Sequence, residues 1–272
     1  MQREETLKSF ERLLNIMDDL REKCPWDKKQ TIESLRHLTI EETYELSDAI
    51  IKNDLNEVKK ELGDILLHIV FYARIGSEQK VFDIKNVMDE LCEKLIYRHP
   101  HIYGNVKAET EDQVKQNWEQ LKQKEKGGNK TVLAGVPNSM PALLKAYRIQ
   151  EKVRAMGFDW DKPEQVYEKV KEELNEFEKE VKDGNSEKAM HEFGDVLFSL
   201  INYGRFLGIN PEDALEHTNK KFTKRFNYLE AKIKEQNRSL KDCTLDEMNA
   251  VSYTHLRAHE TKANLVCRLL LE

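Results

Sequence analysis

Apolar residues recur along this chain at helical intervals. Leu62, Ile65, Leu66, Ile69, Val70 and Ala73 fall at i, i+3, i+4, i+7, i+8 and i+11, and Phe193, Val196, Leu197, Leu200, Ile201 and Gly204 repeat that stripe. Near the start, Leu7, Phe10, Leu13, Leu14, Met17 and Leu20 predict an amphipathic helix. Side chains at this spacing share one helix face, so each stripe predicts a helix that packs along one side. Trp26-Asp27 and Trp160-Asp161 precede two acidic helices, and either Asp27 or Thr31 suits an N-cap.

The two stripes belong to an internal repeat. Residues 61–74 read ELGDILLHIVFYAR and residues 192–205 read EFGDVLFSLINYGR, with six of fourteen positions identical. The offset of 131 also carries Glu42 onto Glu173 and Glu45 onto Glu176, and a later echo places Lys94 and Arg98 against Lys221 and Arg225 at an offset of 127. A period this long excludes a solenoid and predicts two tandem domains. The Gly-, Pro- and Asn-rich stretch within residues 123–140 reads as the linker. Each unit should hold three or four helices. A unit of roughly 100 residues buries a modest core alone, so its apolar stripes predict pairing with another copy in a homodimer.

Composition narrows the class further. The 272 residues include 11 Gly and 6 Pro, too few for the closely spaced turns of an all-β fold. No run approaches the roughly 18 apolar residues of a membrane span, and MQREETLKSFERLL has no signal-peptide core. Four scattered cysteines without a C-x-x-C pair predict reduced thiols and a cytoplasmic location. A net charge of −6 argues against a nucleic-acid binder.

The chemistry lies in paired carboxylates. Glu42/Glu45 with Glu61/Asp64, and Glu173/Glu176 with Glu192/Asp195, each place two acids at i, i+3 on two successive helices. The 16 residues from Glu45 to Glu61, and from Glu176 to Glu192, allow a short antiparallel return that brings the two acidic faces together. Four like charges at one interface repel unless a cation neutralises them. An all-oxygen donor set selects a hard ion, Mg²⁺ or Mn²⁺. A ferritin-like di-iron site would want E-x-x-H on two helices, which Glu61-x-x-Asp64 and Glu192-x-x-Asp195 do not supply. His68 has Ser199 as its counterpart and reads as a packed or hydrogen-bonded histidine.

E-E-x-x-E, then E-x-G-D-x-L, then K-F-x-x-R-F resembles the MazG family of nucleoside triphosphate pyrophosphohydrolases. Cys24-Pro25-Trp26-Asp27, Arg98-His99-Pro100-His101 and Gly157-Phe158-Asp159-Trp160 add to the likeness, which covers about residues 6–250. The carboxylate core is common to a wider all-α superfamily that includes dimeric dUTPases and phosphoribosyl-ATP pyrophosphohydrolases. The resemblance implies an all-α fold of two tandem MazG-like helical domains, completed as helix bundles by homodimerisation. They would span residues 1–122 and 141–250. It further implies Mg²⁺-dependent hydrolysis of NTPs and dNTPs to monophosphate and pyrophosphate, with broad base tolerance. A narrower dUTPase-like hydrolase and a non-catalytic helical dimer that binds nucleotide or protein are the alternatives.

The residues fit that chemistry. A divalent ion at the carboxylates would bridge them to a polyanionic substrate and polarise the phosphorus. Lys221 and Arg225, at i, i+4, form a one-faced clamp for the remaining phosphate oxygens. Glu172 or Glu173 would accept a proton from the attacking water. Lys169 and Lys188 lie near the second set of acids, whereas their counterparts are Leu38 and Glu57. The second unit is therefore expected to be the catalyst, and the resemblance points the same way. After Leu245-Asp246-Glu247-Met248, Ser252 stands where the family usually has a tryptophan suited to stacking on a nucleobase. Residues 251–272 lose the Glu/Lys-rich texture and read as a grafted, artefactual tail, from a frameshift, an assembly error or a vector. Within it, His255 and His259 lack a third ligand for zinc.

Overall fold

A computed structural model describes residues 2–108, 110–125 and 131–248; residues 251–272 with His255 and His259, and Ser252 among them, lie outside the described part. The described residues form helices and short 3-10 turns, with no strand among them. None of these helices is long and apolar enough to cross a membrane. Two units divide between Val114 and Lys115, inside α6 (Glu111–Lys124). The end of the first domain expected at residue 122 also falls within that helix.

The first unit holds α1 (Gln2–Lys23), α2 (Ile32–Ile51), α3 (Leu55–Glu78), α4 (Ile84–Arg98) and the single turn α5 (Pro100–Tyr103). Of the two N-cap candidates, Thr31 takes the role. Its side chain accepts from Ser34 N while Ser34 bonds back to the Thr31 backbone, whereas Asp27 opens a 3-10 turn. Asp54 caps α3 by accepting from the backbone N–H groups of Asn56 and Glu57. Only three residues separate α2 from α3, so the two run antiparallel as a hairpin. Met17, Leu35, Val70, Phe71 and Ile75 form the core at which α1 meets that hairpin. His68 is buried there and hydrogen-bonded to Thr39 Oγ1 at 2.8 Å, with the Tyr72 hydroxyl 2.7 Å from the same oxygen.

The second unit repeats the plan with α7 (Ala142–Arg154), α8 (Pro163–Lys182), α9 (Ser186–Phe206) and α10 (Pro211–Glu235). Val166, Val170, Val196, Ile201, Leu229 and Ile233 are its buried apolar residues. Gln150 of α7 donates to the Phe198 carbonyl of α9 at 2.8 Å. The Gly157-Phe158-Asp159-Trp160 motif follows α7. Gly157, at φ +85°, adopts the left-handed turn that ends the helix, and the buried Arg205 donates to Asp159 Oδ1 at 2.5 Å and to Asn202. That ion pair fixes the motif to α9 and gives the acid two residues after the glycine its role.

The apolar stripes are wider than the cores they serve. Val70 and Ala73 are buried, but Leu62, Leu66 and Ile69 are exposed; Val196 and Ile201 are buried, but Phe193, Leu197 and Leu200 are exposed. Half of each stripe therefore has no cover within its own unit.

Arg21 joins three parts of the first unit. Its Nε and Nη2 donate to the two carboxylate oxygens of Glu78 at 3.0 and 2.6 Å, and Nη1 donates to the carbonyls of Asp27 and Gln30. This fork holds the Glu78 carboxyl below the usual carboxylate range. A carboxylate with a depressed folded-state pKa stabilises the fold above its unfolded pKa and loses that contribution as pH falls through the folded value. Arg21→Ala is expected to cost about 1–2 kcal/mol at pH 7, reduced from the value of a buried charged bond because Glu78 is part-exposed. Urea melts from pH 7 down through the acid range should show the difference from wild type shrinking once Glu78 protonates. A pH-independent difference would mean that only the carbonyl bonds matter.

Candidate functional site

The hairpin α2–α3 brings the expected acids together. Carboxylate oxygens of Glu42, Glu45 and Glu61 lie within 4.8 Å of one another, and in α8–α9 those of Glu173, Glu176 and Glu192 do the same. Asp64 and Asp195 stand outside these triads but act on them through their charge. The Glu42 carboxyl is held above the ordinary range by burial, then by Asp64, Glu45 and Glu61. Glu192 is raised in the same sense by desolvation, then by Glu176, Asp195 and Glu173. Each hairpin is thus a pocket of mutually repelling carboxylates.

Burial within the triads is uneven. Glu61 is 1% exposed, and its Oε2 is buried with no hydrogen-bond partner; Glu173 is 8% exposed, while Glu45 and Glu176 face solvent. A buried carboxylate oxygen without a donor is costly unless a cation meets it. Converging oxygens, raised carboxyls and an orphaned Oε2 fit a hard divalent cation. Glu42, Glu45, Glu61 and Asp64 would hold it in the first unit, and Glu173, Glu176, Glu192 and Asp195 in the second.

The lysines differ from the expectation. Lys169 Nζ donates to Glu172 and Glu173, both at 2.8 Å, and these bonds raise its pKa above the ordinary range. Lys169 therefore borders the cluster. Lys188 is exposed in the first turn of α9 and makes no ion pair with a described residue. The first unit, expected to lack a nearby cation, has one. Lys60 Nζ lies 2.8 Å from Glu57 and 3.0 Å from Glu61, and its pKa is raised by both carboxylates. Its counterpart at offset 131 is His191, so matching lysines position by position missed it. Among the described residues, an ammonium from α3 borders the first cluster and one from α8 borders the second. Leu38, the counterpart of Lys169, packs against the core cluster.

The clamp residues also diverge. Lys221 and Arg225 are both half-buried on α10, a helix packed on α7 and α9. In the first unit Arg98 is buried at the end of α4 while Lys94 is exposed. Glu172 is exposed beside Glu173 and tied to it through Lys169.

Comparison with known proteins agrees with this duplicated arrangement. The MazG nucleotide pyrophosphohydrolase domain matches residues 30–103 and, a second time, residues 161–229. The chain is 44% identical over 243 residues to the nucleoside triphosphate pyrophosphohydrolase/pyrophosphatase MazG of Thermotoga maritima, covering 88% of this chain and 92% of that protein. It is 36% identical over 252 residues to the nucleoside triphosphate pyrophosphohydrolase of Escherichia coli K12, covering 90% of this chain and 96% of the relative. Among solved structures, a mazG-related protein from Thermotoga maritima aligns at 29% identity with a TM-score of 0.37, covering 42% of this chain and 98% of that one. With one matched domain around each carboxylate hairpin and relatives aligned along nearly their whole length, the chain belongs to the MazG nucleotide pyrophosphohydrolase family.

Proposed function

We propose that the protein hydrolyses nucleoside triphosphates, ribo and deoxy, to monophosphate and pyrophosphate at the α8–α9 cluster, with Mg²⁺ as its cofactor and broad base tolerance. The observation that carries this reading is the convergence of Glu173, Glu176 and Glu192 in a chain whose full-length relatives bear that activity in their names. Mg²⁺ or Mn²⁺, when bound, supplies charge neutralisation and polarises the phosphorus under attack. Glu173, Glu176, Glu192 and Asp195 hold that charge in place. Glu173 is engaged within the cluster, so Glu172, tied to it through Lys169, is the group we assign to take the proton from the attacking water. Lys221 and Arg225 bind the phosphate oxygens from one face of α10, with Lys169 and Lys188 adding positive charge along α8 and α9.

A second copy of the chain would cover the exposed halves of the stripes, including Leu197 and Leu200, which supports a homodimer. The described cysteines Cys24, Cys92 and Cys243 are free thiols, in keeping with the cytoplasm.

The test is pyrophosphate release from the common NTPs and dNTPs, with and without Mg²⁺, on wild type and Arg225→Ala. Wild type should release pyrophosphate from many bases only when the metal is present. Arg225→Ala should weaken triphosphate binding by about 1.5–3 kcal/mol, the value of a charged hydrogen bond. Turnover of one nucleotide alone would favour the narrower hydrolase, and no turnover of any would leave a binding protein. Unchanged KM and kcat in the variant would return Arg225 to a structural role on α10.

A further inference from the structure

We propose that Gln150 and Asp159 are positioning residues of the second unit. They pin α7 to α9 at two points and so set where α10, which carries Lys221 and Arg225, stands relative to the carboxylate cluster. The inference rests on the reading of this unit as the triphosphate hydrolase and goes beyond it by naming what holds the clamp in register.

The first pin is Gln150. It is 4% exposed on α7, and its Nε2 donates to the Phe198 carbonyl of α9 at 2.8 Å. Phe198 follows Asp195 by three residues, so the bond meets α9 about one helical turn beyond that acid. Gln150 Oε1 is buried with no hydrogen-bond partner among the described residues. An apolar side chain of similar volume would avoid the cost of that orphaned acceptor, so stability alone does not account for glutamine here. A directed bond does. Packed apolar faces can slide past each other, whereas a bond to one carbonyl selects one register.

The second pin is the Asp159 carboxylate, in the loop after α7. It accepts from the buried Arg205 of α9 at 2.5 Å and from the Trp160 backbone N–H at 3.0 Å, and Arg154 of α7 lies 3.7 Å away. The end of α7, the loop and the end of α9 thus meet at one carboxylate. The Arg205 side chain is 3% exposed, so solvent ions screen the pair little. Arg74, the first unit's counterpart of Arg205, instead lies 3.1 Å from Asp18, whose side chain is 59% exposed. A pair of that kind holds its helices weakly.

The clamp depends on this seam because α10 packs on α7 as well as on α9. Glu192 and Asp195 belong to α9, so their distance from Lys221 and Arg225 is set in part through α7. Misplacement of a substrate-holding group by about 1 Å can cost about 100-fold in rate.

Gln150→Leu is the probe, since it keeps the volume, removes the orphaned acceptor and leaves the Phe198 carbonyl inside the α9 ladder. It should melt no lower than wild type. Its kcat/KM for ATP should nonetheless fall by about 10- to 100-fold, with Asp159→Asn falling in the same direction. In an Arg225→Ala background the further loss from Gln150→Leu should be less than about twofold, because the clamp it sets is already broken. Mn²⁺ affinity by calorimetry should stay as in wild type, since the α8–α9 hairpin alone brings Glu173, Glu176 and Glu192 together. The same cycle on Asp159→Asn decides the matter should Gln150→Leu not fold. An unchanged kcat/KM, or a full additive loss in the Arg225→Ala background, overturns the positioning role and leaves the hydrolase reading intact. Weakened Mn²⁺ binding also overturns it, by making the seam a support of the carboxylates and not of the clamp. Failure of wild type to cleave any NTP instead removes the reading on which the role rests.

Discussion

Replacing Glu176 or Asp195 with alanine is expected to lower pyrophosphate release at least about 100-fold while the protein keeps its helical circular dichroism and its melting temperature. The size follows from what these residues hold. Changing even the outer partners of a metal ligand typically costs about 10–100-fold in affinity or activity, and these are proposed ligands themselves. The retained fold follows from electrostatics. Glu176 and Asp195 both act on Glu192 as like charges, raising its pKa, so removing either relieves repulsion in a protein without bound metal. Glu176 is exposed, and its loss opens no cavity. Glu178→Ala, two residues away, is the control. Glu178 is exposed and paired with Lys182, so its removal should leave turnover near wild type. Full activity of Glu176→Ala at ordinary Mg²⁺ would withdraw the metal assignment, whereas a loss shared by Glu178→Ala would point to nonspecific damage to α8.

What the sequence disclosed, and what it hid, divides by the range of the interaction. The repeat, the hairpins and the carboxylate triads were legible because each depends on spacing along one helix plus one short return. Glu45 and Glu61 had few ways to avoid each other once α2 and α3 were antiparallel. The split of the apolar stripes into buried and exposed halves was not legible, because periodicity gives a direction and not the width of what covers it. Lys60 was hidden for a different reason. An ammonium on a flexible stem can reach a carboxylate from several backbone positions, so a comparison at one offset finds Leu38 and Glu57 and passes over Lys60 beside Glu61. The bond from Arg205 to Asp159 spans 46 residues, and no local signal pairs them.

The asymmetry between the units can now be put to its sharpest test, and it predicts that Glu45→Ala leaves most of the turnover whereas Glu176→Ala removes nearly all of it. Leu38 and Glu57 suggested a first unit with too few cations, but Lys60 supplies an ammonium to Glu61 as Lys169 does to Glu173. The ammonium nearest each triad therefore does not separate them. What separates them lies around the triads. Lys221 and Arg225 are both half-buried on α10, while their counterparts are split between an exposed Lys94 and a buried Arg98. Two cations that act as a clamp must present to the same oxygens, and a buried arginine with an exposed lysine is poorly arranged for that. The first unit's triad, with the orphaned Oε2 of Glu61, should still take a divalent ion. Calorimetric Mn²⁺ titration of Glu45→Ala should accordingly lose one class of sites relative to wild type even though kcat barely changes. Side-by-side kcat values for the two variants, both checked to be in the wild-type oligomeric state, decide the matter. If each loses about half, both units work, and the burial of Arg98 does not disable the first.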